Sequence, residues 1–370
     1  MRIGILGGGQ LGRMLALAGH PLGLDVRLLD ASPDAPAGRV APLVVGDLAD
    51  PAVVARFAGG LDRATYEFEN VPLAAARALA AQVPVFPPPA ALETAQDRLA
   101  EKACFAALGI ATAPFAAVDA PADLERALDT IGLPAVLKTR RLGYDGKGQW
   151  RLRSVDDVAA ARRVLDGTPM LVERLVPFDR ELSILAVRGH DGATACYPLV
   201  ANTHAAGILR WSRAPAPAAA HLQAPAEAWA ARVLDRLGYV GVLAIELFEV
   251  GGRLVANEMA PRVHNSGHWT IEGAETSQFE NHLRAVAGLP LGATAPVGES
   301  LMVNGIGAMP DAAAVLAIPG AHLHDYGKAP RPGRKVGHVT LRADDAATLE
   351  ARAAALRAVM PPGAVPPAPG

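Results

Sequence analysis

From its second residue the chain alternates short apolar runs with segments whose apolar positions recur every three or four residues. The runs at 3–6, 25–29, 44–45, 64–66 and 83–86 read as buried strands. Between them, residues 10–22 put Leu11, Met14, Leu15 and Ala18 on one helical face, and 52–57 and 73–79 read as two further helices. Strands alternating with helices predict a parallel, doubly wound sheet, here over residues 1–94. Pro87-Pro88-Pro89 punctuates the end of that unit.

After the prolines the rhythm changes. A helix is predicted over 94–108, with Thr94 as N-cap, Asp97 in the third helical position and Gly109 as its stop. Helices follow near 122–129 and 155–165, and strands at 136–138, 170–176, 181–187 and 197–200. Residues 240–250 form a long apolar strand, Gly251-Gly252 turns the chain, and 253–258 return. A two-residue loop pairs Glu246 with Asn257; a three-residue loop pairs it with Glu258.

Composition narrows the class. At 370 residues the chain exceeds one ordinary core, and 51% apolar residues can fill two or three. A net charge of −2 provides neither a basic field for nucleic acid nor a polybasic membrane patch. No apolar run reaches the roughly 18–20 residues of a membrane span, and the start lacks a signal-peptide layout. Cys104 and Cys196 are the only cysteines, so no disulfide or zinc framework is indicated. A cytoplasmic enzyme is the expectation.

Three stretches carry candidate chemistry. Gly7-Gly8-Gly9-Gln10-Leu11-Gly12 fits G-x-G-x-x-G at a strand-to-helix turn, with Asp30 ending the next strand. It suits a dinucleotide, another phosphate, or close helix packing. Lys138 ends a strand and is followed by Arg140, Arg141, Leu142, Gly143, Tyr144, Asp145, Gly146, Lys147, Gly148 and Gln149. Glycines that admit close anion approach, beside cations, read as a basic flap over a polyphosphate. Downstream, Glu246, Asn257 and Glu258 meet at one end of the hairpin. Carboxylates inside an apolar strand are costly unless paired or metal-bound, and hard oxygen donors suit Mg²⁺ bound to a nucleotide. The loop after the hairpin, with Arg262, His264, Asn265, Ser266 and His268, is polar and irregular, as binding loops are. On local grounds Glu173 and His204 remain ordinary strand residues.

Taken together these motifs resemble the ATP-grasp superfamily. Gly8-Gly9-Gln10-Leu11-Gly12, Tyr144-Asp145-Gly146-Lys147-Gly148-Gln149, the run from Asn257 to His268 and Pro332-Gly333-Arg334-Lys335-Val336-Gly337-His338 resemble its N5-carboxyaminoimidazole ribonucleotide synthetase family. The resemblance implies an α/β fold with an α+β core: a Rossmann-like lobe over 1–94, an ATP-grasp domain over 95–297 with a mobile lid near 111–173, and a β-rich lobe over 298–370 ending in a disordered tail.

It also implies roles. Arg98, Lys138, Gly143, Tyr144, Asp145, Gly146, Lys147, Gly148, Gln149, Glu173, Arg174, Leu175, Val176, Glu181, His204, Asn257 and Glu258 are expected at ATP. Glu246 and Glu258 are expected to hold Mg²⁺, or Mn²⁺ in its place. Gly8, Gly9, Gln10, Leu11, Glu69, Arg262, His264, Asn265, Ser266, Arg334 and Lys335 are expected at the substrate, with the glycine turn taking a 5′-phosphate. Lys138, Asp179, Arg262, His264 and Lys335 are the catalytic candidates. The implied substrates are ATP, bicarbonate and 5-aminoimidazole ribonucleotide. A homodimer and coupling to a mutase acting on the product complete the picture. Leu142 departs from the family, which commonly carries a further glycine there.

Overall fold

The computed structural model describes residues 1–143, 148–163, 165 and 167–367. Its first sheet is parallel, in the order β3-β2-β1-β4, with β1 Arg2–Leu6, β2 Asp25–Asp30, β3 Leu43–Val45 and β4 Arg63–Tyr66. Helix α1 Gln10–Gly19 connects β1 to β2, α2 Pro51–Ala58 connects β3 to β4, and α3 Leu73–Ala80 follows β4. The fifth expected strand, 83–86, is reduced to a single bridge between Ala64 and Val85. Pro84 and Pro87 flank that bridge and offer no N–H to extend it.

The helix expected over 94–108 is two helices, α4 Pro89–Gln96 and α5 Arg98–Ala107. Asp97 breaks them apart. Its backbone is extended and its carboxylate accepts from Leu99 N at 3.0 Å, so Asp97, not Thr94, is the N-cap that starts the second helix. Thr94 instead donates its hydroxyl back to Ala90 O.

Four antiparallel strands then form a small sheet in the order β5-β8-β6-β7: β5 Phe115–Val118, β6 Ala135–Thr139, β7 Gln149–Leu152 and β8 Met170–Arg174. The remaining strands build one nine-stranded sheet: β9 Arg180–Arg188, β10 Thr194–Cys196, β11 Val200–Ala205, β12 Ile208–Ala214, β13 Gly241–Val250, β14 Arg253–Ala260, β15 Glu299–Ile306, β16 Ala321–Asp325 and β17 Lys335–Ala343. Residues 197–200 link β10 to β11 rather than forming a strand. The last three strands do not stand alone. β15 pairs with β12, Trp211 opposite Val303, so the C-terminal segment extends the central sheet. Tyr197, Trp269, Phe279 and Leu283 join the first sheet's core to the central one.

Candidate functional site

The hairpin β13–β14 places the acidic pair. Gly251 and Gly252 both have positive φ and make a two-residue turn, with Val250 opposite Arg253. Straight pairing from that turn would set Glu246 against Asn257. The register instead slips after Leu247–Ala256, leaving Asn257 as the extra residue, and Glu246 faces Glu258. The turn has two residues, yet the carboxylates still meet.

Their surroundings act on them in opposite directions. Burial pushes the Glu246 carboxyl up, and the neighbouring Glu258 charge adds to it. Glu258 is driven the other way: burial opposes its charge, but Arg98 Nη1 lies 2.7 Å from its Oε2 and outweighs burial. Among the described residues no cluster of three or more His, Cys, Asp or Glu side chains forms a metal cage. Two facing carboxylates with hard oxygens and mutual repulsion do fit a divalent cation that takes its other ligands from phosphate and water.

Helix α5 brings three ionic side chains to this point because Arg98, Glu101 and Lys102 share one face at i, i+3 and i+4. Arg98 holds Glu258. Glu101, buried, accepts from Met259 N at 2.6 Å and pins the residue after Glu258. Burial and then Glu258 push the Glu101 carboxyl up to about 8. Lys102 Nζ lies 3.1 Å from Glu173 Oε2, and Lys138 Nζ takes the other oxygen of that carboxylate. Glu173 is therefore committed to two buried lysines. Lys102 and Glu101 escaped sequence reasoning, although their spacing from Arg98 was the available signal.

Arg262 is paired with Glu69. His264 Nε2 lies 3.4 Å from Glu246 Oε1. Burial, then Arg262 and Lys335, hold the His264 imidazole down to about 3, so it is neutral at physiological pH. Glu181 Oε2 accepts from both His204 N and, at 2.9 Å, His204 Nδ1. Burial disfavours the His204 cation, but Glu181 and Glu246 together raise its pKa. The charge of Lys335, on β17, reaches Glu246, His204 and His264. Asn265 and Asn304 exchange amide hydrogen bonds at 3.1 and 2.8 Å. A cleft of about 560 Å³ is lined by Arg98, Glu246, Glu258, Arg262 and His264, with Glu69, Leu142 and Gly143 also on its wall.

Other expected residues stand elsewhere. Asp179 is exposed and accepts from Gly251 N at 2.7 Å, capping the turn of the hairpin. Arg174 donates to Ile131 O through Nε and Nη2. Leu175 N donates to Pro134 O, and Val176 follows it out of β8. Gly148 O accepts from Thr139 N just before the return strand, whose first residue, Gln149, pairs with Lys138. Tyr144, Asp145, Gly146 and Lys147 lie outside the described residues. Arg334 donates to Ala329 O in the turn before β17.

The glycine turn needs correction. Gly8 N donates to Asp30 Oδ2, and Gly9 N and Gly12 N donate to the two oxygens of Glu67, each at 2.7 Å. Leu11 is core. The N–H groups expected to receive a phosphate are taken by the chain's own carboxylates, and Asp30, bound to Gly8 and Ser32, is not poised over a ribose. Gln10 is the member of the turn that reaches outward: its Oε1 accepts from Lys328 Nζ. Burial, then Arg334, pull the Lys328 ammonium down to about 8. Lys328 was missed, having no motif around it.

Residues 1–96 match the ribonucleotide synthetase preATP-grasp domain, 103–279 the ATP-grasp domain, and 300–352 the phosphoribosylaminoimidazole carboxylase C-terminal domain. The N5-carboxyaminoimidazole ribonucleotide synthase of Pseudomonas aeruginosa is 56% identical over 97% of this chain and 99% of its own. The solved synthetase of Thermus thermophilus superposes with a TM-score of 0.94 at 60% identity, covering 97% of this chain and 98% of that one. An Aspergillus clavatus synthase solved with ADP and 5-aminoimidazole ribonucleotide gives a TM-score of 0.88 at 32% identity, covering 95% and 96%. Likeness of this depth across all three segments places the chain in the N5-carboxyaminoimidazole ribonucleotide synthase family of ATP-grasp ligases.

Proposed function

We infer that the protein carboxylates 5-aminoimidazole ribonucleotide with bicarbonate at the expense of ATP, in purine biosynthesis. The products are N5-carboxyaminoimidazole ribonucleotide, ADP and phosphate. The observation that carries this reading is the full-length likeness to a synthase bound to ADP and that ribonucleotide.

Bicarbonate is a poor electrophile. Its oxygen attacks the γ-phosphorus, the bond to the β-bridging oxygen breaks, and ADP leaves. The exocyclic amine of the ribonucleotide then takes the carboxyl group as phosphate departs. Little covalent work falls to the chain; it positions charges and excludes water. Lys138, on its strand, and Arg98, on α5, neutralise phosphate. Arg262, fixed by Glu69, faces the anionic intermediate. Lys328 and Gln10, with Arg334 and Lys335 nearby, are the groups suited to the ribonucleotide 5′-phosphate, in place of the glycine N–H groups. Glu246 and Glu258 would hold Mg²⁺ or Mn²⁺, which would supply Lewis-acid neutralisation of the β- and γ-phosphates.

A cytoplasmic homodimer that passes its labile product to a mutase goes with this reading. Among the described residues no helix is long and apolar enough to cross a membrane. The decisive assay is ADP release from Mg-ATP and bicarbonate, with and without 5-aminoimidazole ribonucleotide. Release that depends on the ribonucleotide is expected; release indifferent to it but raised by another amine would overturn the substrate.

A further inference from the structure

Glu173 is shared by two lysines that come from different elements. Lys102, on α5, lies 3.1 Å from Oε2, and Lys138, on β6, is paired with Oε1. All three side chains are buried. Lysine is seldom buried without a carboxylate of its own, because an unpaired ammonium forfeits its hydration. Among the described residues neither lysine has a second ion-pair partner: Arg98 holds Glu258, and Glu101 Oε1 accepts from Met259 N. The group carries one cation more than its carboxylate balances.

For folding alone one lysine is enough. A single Lys–Glu pair is balanced, and a second buried ammonium adds desolvation and repulsion. The two lysines are also placed differently. The Lys102 side chain is 3% exposed and belongs to the buried face of α5. The Lys138 side chain is 10% exposed, and its charge is felt by Arg98 and Glu258, which line the cleft. Lys138 is therefore the cation within reach of an anion in the cleft, and Lys102 the one that stays behind. If Glu173 had Lys138 as its sole partner, turning Lys138 to a phosphate would strand a buried carboxylate. With Lys102 in place the carboxylate remains paired.

We propose that Lys102 is a positioning residue for nucleotide binding: it holds Glu173 alone while Lys138 leaves that carboxylate for the phosphates. Lys102 itself touches no phosphate and acts through Glu173 and Lys138. The proposal rests on the function inferred above only as far as the nucleotide; bicarbonate and the ribonucleotide do not enter it.

Lys102→Met removes the extra cation and leaves the Glu173–Lys138 pair whole. The nucleotide-free protein should melt at or above the wild-type temperature, because its buried charges now balance. Its Kd for Mg-ADP, read by calorimetry, should weaken about tenfold, because Lys138 can no longer leave Glu173 without stranding it. KM for Mg-ATP should rise alike with kcat unchanged. Glu173→Gln supplies the second background. There Lys138 has no carboxylate to leave, so adding Lys102→Met should not weaken Mg-ADP further, and should raise the melting temperature by removing one of two uncompensated cations.

An equal loss of affinity in both backgrounds would make Lys102 a plain attracting charge. An unchanged Kd in Lys102→Met, or a variant that melts well below the wild type or fails to fold, would make Lys102 a structural ion. Either result overturns the proposal. A wild type without affinity for Mg-ADP would overturn the nucleotide reading together with it. Binding is read without turnover, so ADP release that ignores the ribonucleotide would sink the inferred substrate and leave the role of Lys102 standing.

Discussion

Lys102 Nζ lies 3.1 Å from Glu173 Oε2, and both side chains are buried. With Lys138 on the other oxygen, one carboxylate compensates two buried ammonium groups. Burial already pulls the Lys138 pKa down, and Glu173 is the main charge opposing it. Glu173→Gln would leave two uncompensated cations, and breaking a buried pair costs about 3–5 kcal/mol. Urea unfolding at neutral pH should show a loss of that order. A loss under about 1 kcal/mol would mean that the lysines find other partners.

The placement of Asp179 makes a second prediction. Its carboxylate caps Gly251 N while its own N–H donates to Glu249 O at 2.8 Å, away from the Glu246–Glu258 end of the hairpin. Asp179→Ala should cost about 1 kcal/mol of stability, the usual worth of such a hydrogen bond, with kcat unchanged. A tenfold fall in kcat at constant KM would restore Asp179 as a catalytic group.

How much of this was legible beforehand can be seen in single residues. The first sheet was readable because parallel strands are continuous apolar runs and their helices repeat on one face. The meeting of Glu246 with Glu258 was readable only as one of two registers. What decided it is a slip at Asn257, which depends on pairing across the sheet and leaves no mark in local sequence. The glycine turn misled because G-x-G-x-x-G specifies free N–H groups, not their occupant, and Glu67 comes from 55 residues beyond Gly12. The partners of Glu173 were hidden for the same reason: they lie on a different helix and strand. Long-range ionic choices of this kind follow from the fold, so they become visible only with it.

Glu246 tests the metal assignment. It faces Glu258 at a position where burial disfavours its charge, so a Mg²⁺ ion held there would have to secure the ionised form. Glu246→Gln keeps the shape and removes the charge. The Mg²⁺ concentration giving half-maximal ATP turnover should rise about tenfold or more, with circular dichroism unchanged. An unaltered Mg²⁺ requirement would exclude Glu246 from the metal.

Leu142 has φ of 62°, is 73% exposed, and lines the cleft beside Gly143. A left-handed conformation costs a residue with a Cβ about 1–2 kcal/mol, whereas glycine's extra unfolded-state freedom costs about 0.5–1 kcal/mol. Leu142→Gly should therefore gain about 0.5–1 kcal/mol in chemical denaturation, with an unchanged denaturant slope. A destabilised variant would show that the leucine side chain makes contacts that outweigh its strain.

Lys328 gives the site a pH dependence of definite sign. Burial lowers its ammonium to about 8, below the ordinary lysine value of 10.5. Below about pH 8 the cation is present and can meet a phosphate dianion. Above it the free protein has lost the proton, and binding must restore it, so KM for the ribonucleotide should rise by up to tenfold per pH unit. Stability responds in the opposite sense. Between about 8 and 10.5 the unfolded chain binds more protons than the folded one, so this group favours the fold increasingly as pH rises. Lys328→Met should raise KM at neutral pH and flatten both profiles, measured as initial rates and as melting temperature from about pH 7 to 9.5. A KM profile for Lys328→Met that still breaks near pH 8 would assign the titration to another group and remove Lys328 from the phosphate site.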